Sequence, residues 1–454
     1  MLLGLAIPLA SPAAFADDRV EVGRSLFEHK WTAGDPLCPQ GDGLGPMYNA
    51  DSCVACHSLG GIGGAGASER NVSLLSVEGL NKRPSSRESQ VIRTQAGKFN
   101  PAFGPGLTAA SSIVFHQFST EPRYDRWRLS ILGVKLPPQP SPARRDAAVQ
   151  AADRKHGSAA SPVTELAQKP GLIVRLSQRN TPPLFGAKLI DSISEQTLVD
   201  LAKEQAERFP GIEGRVGRTA QGKVARFGWR GQAATLRDFV LTACAVELGL
   251  QNDGHEQARN PLEHRHSGRG NDLTKDQCDA LIAFVASLPA PRQLPPANEY
   301  DARLHNHGAK LFESTGCTAC HVRDVGEVAG IYSDLLLHDM GAGLEDPVPA
   351  FPEGRSTRIG SSSGSSAYYG GPGEIFADTP PRLRREWRTP PLWGLRDSGP
   401  YLHDGRAATI EQAISAHGGE AENAARKYAG LDFQQRSHLV LFLKSLAAPE
   451  PPAE

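Results

Sequence analysis

The chain lacks a dominant charge of either sign. Its 454 residues carry 49 Lys and Arg against 50 Asp and Glu, a formal net charge of −1. Polyanion binders normally show a basic excess, so nucleic-acid binding is excluded as the main task, while a local charged patch for a protein partner is not. Long apolar runs are also missing. No internal stretch reaches the roughly 18 residues that a membrane span requires. Seven cysteines are too few for a disulfide scaffold. Methionine is scarcer still, at Met1, Met47 and Met340. Glycine and proline, by contrast, are abundant at 47 and 35 residues, which points to long ordered loops around a core. Residues 1–16 read as an export signal. They are apolar and end in Ala14-Phe15-Ala16, a small-x-small cleavage pattern before Asp17-Asp18, although no Lys or Arg precedes the apolar part.

Four of the cysteines sit in two short motifs, Cys53-Val54-Ala55-Cys56-His57 and Cys317-Thr318-Ala319-Cys320-His321. Cys-x-x-Cys-His is the attachment signature of c-type haem. On one helical turn the two thiols share a face and reach the two vinyl groups of one porphyrin, while the adjacent His lies beneath the iron. A redox Cys pair has no need of that His, and a zinc site needs further Cys or His close by. Two covalently bound c-type haems are therefore expected, with His57 and His321 as proximal ligands and Cys53, Cys56, Cys317 and Cys320 as anchors. Haem attachment occurs outside the cytoplasm, which agrees with export to the periplasm. Cys244 and Cys278 are left either to pair or to act as buried thiols.

Blocks flanking the motifs recur in order. Gly23 to Glu28 matches Gly308 to Glu313, Arg179 to Gly186 matches Arg388 to Gly394, and Trp229 to Leu236 matches His403 to Ile410. The expected fold is mainly α: two cytochrome-c-like haem lobes related by duplication, with long irregular loops and insertions in the first. The first lobe is placed at 17–288 and the second at 300–448. A Pro-rich linker lies between them at 289–299, and a tail follows at 449–454. Thr274 is positioned to cap a helix with an apolar face from Cys278 to Leu288. Ser361 to Gly373 reads as a Ser/Gly/Tyr loop, and strands are expected to be few and short.

These blocks resemble the bacterial di-haem cytochrome c peroxidases and the related enzyme that matures methylamine dehydrogenase, and most closely the di-haem oxidoreductase subfamily, sometimes labelled thiol oxidoreductase. The segments that carry the resemblance are Gly43 to Ala50, Thr181 to Asp191, Phe227 to Gly249, Tyr332 to Gly341 and Arg388 to Ile414. Residues 60–160 carry it least. The resemblance implies that electrons from a small redox-protein donor enter at the second haem and that peroxide is reduced at the first. Trp229 falls on the family's inter-haem Trp. Glu247 falls on the catalytic Glu, a carboxylate able to shuttle the peroxide proton if burial raises its pKa. The family's companion Gln falls on Phe239, a departure, and Arg230 or Gln232 is left as a stand-in. The distal ligand of the second haem falls on His417, fourteen residues after His403, which implies bis-His ligation with His321; Met340 or His338 is the rival. Imidazole in place of thioether lowers the reduction potential. No His lies between Ser58 and Ser68, so the first haem is expected to be open, with His116 read as a core histidine. The inter-lobe calcium of the relatives uses carbonyls near Ser398-Gly399-Pro400 and an Asn whose position reads Gly186 here, so calcium is left open.

Three outcomes share this scaffold. The first is a peroxidase, the second a di-haem oxidase of a protein or organic substrate, and the third a non-enzymatic electron carrier with both irons capped.

Overall fold

The computed structural model describes residues 12–79, 85–97, 112–134, 141–156, 163–169, 172–219, 221–258, 260–262, 268–346 and 384–450. The expected loop at Ser361 to Gly373 lies outside them, as do residues 1–11. The first helix, α1 (Pro12–Glu28), runs through the expected cleavage point.

Helices form the frame around both Cys-x-x-Cys-His turns, and each turn is framed in the same way. In the first half α1 packs on α8 (Lys275–Ser287). Gly23 permits the close approach, because a Cβ there would lie 2.0 Å from the Ala280 carbonyl oxygen. In the second half α9 (Glu299–Ser314) packs on the last helix, Phe433–Lys444. Gly308 does the same work there, 2.1 Å from the His438 carbonyl oxygen. Phe27 lies 5.1 Å from Phe284 and 6.2 Å from His57; Phe312 lies 5.4 Å from Phe442 and 6.5 Å from His321. Thr274 caps α8 as its position suggests, in a reciprocal box with Gln277 that satisfies two otherwise unpaired N–H groups.

The structure corrects the expectation of a mainly α chain: helix and sheet are both substantial. A four-stranded antiparallel sheet occupies the region where the resemblance is weakest. Its order is β3 (Ser112–Val114), β2 (Val72–Gly79), β6 (Leu172–Arg179), β5 (Val163–Lys169). Strands β2 and β6 pair over their full length, from Val72 opposite Arg179 to Gly79 opposite Leu172. Leu75, Val77, Val174 and Leu176 meet Ile113, Phe115 and Leu129 in a core of their own. The paired strands lie about a hundred residues apart in the chain, so no local turn signal announces their pairing.

The two halves are stitched together by reciprocal backbone bonds. Asn180 N–H donates to the His403 carbonyl at 2.8 Å, and Arg388 N–H donates to the Trp229 carbonyl at 2.9 Å. Those four residues occupy equivalent places in the repeated blocks. The Pro-rich segment between the halves is also tied down, since Arg292–Gln293 pairs as a short strand with Leu446–Ala447. Among the described residues no helix is long and apolar enough to cross a membrane.

Candidate haem sites and the carboxylate between the helices

Each Cys-x-x-Cys-His segment is a single helical turn. His57 N–H donates to the Cys53 carbonyl at 3.0 Å, and His321 N–H to the Cys317 carbonyl at 2.9 Å. Neither pair of cysteines is joined as a disulfide. The histidines are set alike. Nδ1 of His57 bonds the Gly64 carbonyl at 3.1 Å, and Nδ1 of His321 bonds the Tyr332 carbonyl at 3.0 Å. A ring that donates Nδ1–H to a carbonyl keeps its Nε2 lone pair for a metal. Burial pushes both rings down to about 4, so each is neutral at pH 7.

The second turn opens onto a cavity of about 540 Å³ lined by His321, His417, Trp229, Trp387 and Arg388. His417 faces His321 with ring centres 6.5 Å apart. A metal atom bonded to one nitrogen of each ring, at about 2.0 Å per bond, sets two imidazole centres roughly 6 Å apart. The Nδ1 of His417 is engaged by the Ala413 carbonyl at 2.7 Å, so its Nε2 is the free nitrogen. Of the sequence rivals, His338 is spent. Its Nε2 lies 2.8 Å from Asp334 and its Nδ1 2.7 Å from Glu420, so both nitrogens serve carboxylates. Met340 lines the same cavity. Cys320, Asp334 and His338 cluster within 4.8 Å, but with both His338 nitrogens occupied the group is an ion bridge.

The residues fit haem. Two neutral imidazoles face each other across an apolar cavity beside two free thiols. Arg388 is a further sign. It lines the cavity, is 8% exposed, and its side chain bonds the carbonyls of Gly228 and Thr389, with the Asp334 charge favouring its ionised form. Burial lowers it to about 10, so it stays charged. A buried guanidinium that lines the cavity and stays charged suits the acidic edge of a porphyrin.

Trp229 is half-buried at the seam between the halves, and its indole N–H donates to the Asn180 carbonyl at 2.9 Å. A second tryptophan, which the sequence did not single out, lines the same cavity. Trp387 stacks on His403 with ring centres 3.5 Å apart at 9°, and the guanidinium groups of Arg230 and Arg179 lie 4.0 and 4.9 Å from its ring centre. Arg179 also pairs with buried Asp346 at 2.6 Å.

At the first turn, Glu247 ends α7 (Leu236–Glu247), a helix capped by Thr235 and buried along Phe239, Val240, Cys244 and Val246. Its charge is felt at the Cys56 thiol, which burial first of all pushes up to about 12. Asn49, carried by the Gly43–Ala50 segment, donates Nδ2–H to Glu247 Oε2 at 2.6 Å. Neither proposed stand-in for the missing glutamine is at this carboxylate: Arg230 lies over Trp387, and Gln232 bonds the Arg230 backbone. Phe239 stacks on Phe227 in the core. His116 is buried, with Nε2 donating to the Val246 carbonyl at 2.8 Å, as a core histidine would. Cys244 and Cys278 are separate buried thiols. Gly186 packs against the Trp393 ring, 2.8 Å from where a Cβ would be, which explains the glycine without a cation.

Residues 374–446 match the protein family described as “Di-haem oxidoreductase, putative peroxidase”. This C-terminal segment is thus similar to the di-haem oxidoreductases. The chain is 30% identical over 188 residues to hydrazine synthase subunit gamma of Kuenenia stuttgartiensis, covering 39% of this chain and 51% of that protein. It is 28% identical over 153 residues to cytochrome-c peroxidase IdrP1 of Denitromonas iodatirespirans, covering 32% and 40%. The chain thus spans about half the length of these relatives or less. Among solved structures, Kuenenia stuttgartiensis hydrazine synthase is similar with a TM-score of 0.34 at 17% identity, covering 65% of this chain and 79% of that one. A MauG-like protein associated with microbial copper homeostasis is similar with a TM-score of 0.23 at 19% identity, covering 38% and 52%. Haem is the cofactor that this similarity implies.

Proposed function

We propose that this chain is an exported, periplasmic di-haem oxidoreductase with two covalent c-type haems, which reduces hydrogen peroxide to water with electrons from a small redox protein. The haems, when bound, supply electron storage and an open iron for peroxide. The observation that carries the reading is the asymmetry between the two turns. His321 has a second imidazole, His417, opposite it at 6.5 Å, whereas the first turn has the Glu247 carboxylate beside Cys56. A site closed by imidazole on both faces excludes a small reactant and suits electron entry. A carboxylate beside the other site suits proton transfer.

Within this scheme Cys53, Cys56, Cys317 and Cys320 anchor, and His57, His321 and His417 ligate. Glu247 accepts the proton from the near oxygen of peroxide and returns it to the far one. Trp229, fixed at the seam by its bond to Asn180, bridges the two sites. The reciprocal bonds at Asn180 and Arg388, together with the matched helix pairs, support a duplicated two-lobe architecture with lobes at 17–288 and 300–448. The peroxidase among the relatives supports the choice of peroxide. The electron-carrier reading needs a side chain capping the first iron, and His116 has its Nε2 engaged by Val246.

Rapid mixing of the ferrous or mixed-valence holoprotein with hydrogen peroxide tests the proposal. Fast Soret changes that slow at least about 100-fold in Glu247→Gln are expected. If neither protein responds and both haems remain low-spin, the peroxidase reading fails and an electron carrier is left.

A further inference from the structure

Glu247 is held by residues that no motif announces. Asn49 follows β1 (Met47–Tyr48) and is only 7% exposed. Its Nδ2 donates to Glu247 Oε2 at 2.6 Å, its backbone N–H donates to the Glu247 carbonyl at 2.7 Å, and its Oδ1 accepts the Gln117 backbone N–H at 2.9 Å. The last bond decides the others. The two ends of an amide are nearly alike in shape, but a backbone N–H can only donate. The oxygen of Asn49 must therefore face Gln117, and its NH₂ must face the carboxylate.

The segment that dictates this orientation belongs to the insert next to the sheet. β4 (Phe118–Ser119) pairs with β1, placing Tyr48 opposite Phe118. His116 Nε2–H donates to the carbonyl of Val246, the residue before Glu247. The His116 carbonyl in turn accepts from the Tyr124 hydroxyl at 2.8 Å and from Arg128 at 3.1 Å. The other side is pinned by a close crossing: a Cβ on Gly45 would lie 2.5 Å from the Gly249 carbonyl oxygen. The carboxylate therefore sits in a frame closed by the helix end, the Gly45–Asn49 segment and the insert.

We propose that Asn49 is the positioning residue for Glu247, and that the 116–119 segment exists at this point to fix its polarity. An NH₂ donor stabilises the ionised carboxylate. It cannot accept a hydrogen bond, so a protonated Glu247 has to direct its O–H away from Asn49. Among the described residues, the other charges felt at the Cys56 thiol beside it are those of Arg70 and Asp51, of opposite sign. His116 is held neutral, its pKa pushed down to about 4 by burial. The inference rests on Glu247 being the acid/base group.

The test uses the ferric holoprotein and a reaction other than turnover. Hydrogen cyanide must lose a proton to bind ferric haem as cyanide, so its binding rate against pH reports the nearby base. Wild type is compared with Glu247→Gln, Asn49→Ala and Asn49→Asp, with Soret spectra and melting curves confirming folded protein. Asn49→Asp is the decisive variant. It keeps an oxygen for the Gln117 N–H but replaces the donor facing Glu247 with a second carboxylate. We expect Glu247→Gln to slow binding at least about tenfold. Asn49→Ala should move the acidic limb upward by about one pH unit, a tenfold loss at fixed pH on that limb, and Asn49→Asp should move it further. If Glu247→Gln slows binding but both Asn49 variants follow the wild-type profile, Asn49 is merely structural and the inference is overturned while Glu247 stands. If Glu247→Gln binds like wild type, the acid/base role itself falls, and this inference with it.

Discussion

Replacing His338 by Gln should destabilise the C-terminal half of the chain. The imidazole is 2% exposed and lies between Asp334, wholly buried at 2.8 Å, and Glu420 at 2.7 Å. Burial alone lowers its pKa, but the Asp334 charge and hydrogen bond outweigh burial and hold it well above the usual histidine value. The bridge ties three segments together, because Glu420 also accepts the N–H groups of Asp339 and Glu213. Removing the cation leaves the buried Asp334 and the half-buried Glu420 without the positive charge between them. Breaking a buried ion pair from one side costs about 3–5 kcal/mol, which is roughly 10 °C in melting temperature for a unit of this size. The sign with pH follows from the shifts. A raised His338 contributes fully below the ordinary histidine pKa of about 6.5 and is lost as pH climbs through its raised value. Burial acts to raise Glu420, but its bond to His338 leaves it lowered. Its contribution is thus present above the ordinary glutamate value and lost as pH falls. Thermal unfolding followed in the Soret region, at several pH values, measures all of this. A loss under about 1 kcal/mol in His338→Gln at pH 7 would refute the reasoning.

Three further outcomes follow from the same geometry. His417→Met should raise the reduction potential of the second haem, because thioether favours the reduced iron; potentiometric titration showing no rise would remove His417 as its ligand. Thr235→Ala removes the Oγ that accepts the Asp238 N–H at 3.1 Å and should cost about 1 kcal/mol in chemical denaturation. Arg388→Gln should make the potential of the second haem pH-dependent near neutrality, since its guanidinium would no longer balance an acidic edge; a pH profile unchanged from wild type would assign Arg388 only to the seam bonds at Gly228 and Thr389.

Several features of the site were legible because short-range chemistry spells them. A Cys-x-x-Cys-His turn needs only five consecutive residues, so both attachment segments stand out, and the structure shows each as a single turn with its histidine Nδ1 on a carbonyl. The spacing from His403 to His417 marks a ring that lies opposite His321. The sheet was not legible. Its long β2–β6 pair joins residues about a hundred positions apart, and nothing in either strand names the other. The replacement for the missing glutamine was equally hidden. Phe239, Arg230 and Gln232 lie near Glu247 in sequence, whereas Asn49, which bonds its carboxylate, comes from 198 residues away. Trp387 carries no local signal, because its stacking on His403 depends on the Glu386–Arg388 strand meeting the turn at His403.

The sequence by itself determined the two Cys-x-x-Cys-His turns, the repeated blocks and the positions of the histidines near them, because each depends on residue type at fixed short spacing. Only the tertiary structure decided which of these groups meet. It faced His417 to His321, spent both nitrogens of His338 on Asp334 and Glu420, and brought Asn49 onto Glu247 with its amide turned by Gln117. Those outcomes belong to packing between distant segments, where the geometry of a hydrogen bond, about 3 Å and directional, is fixed by the fold.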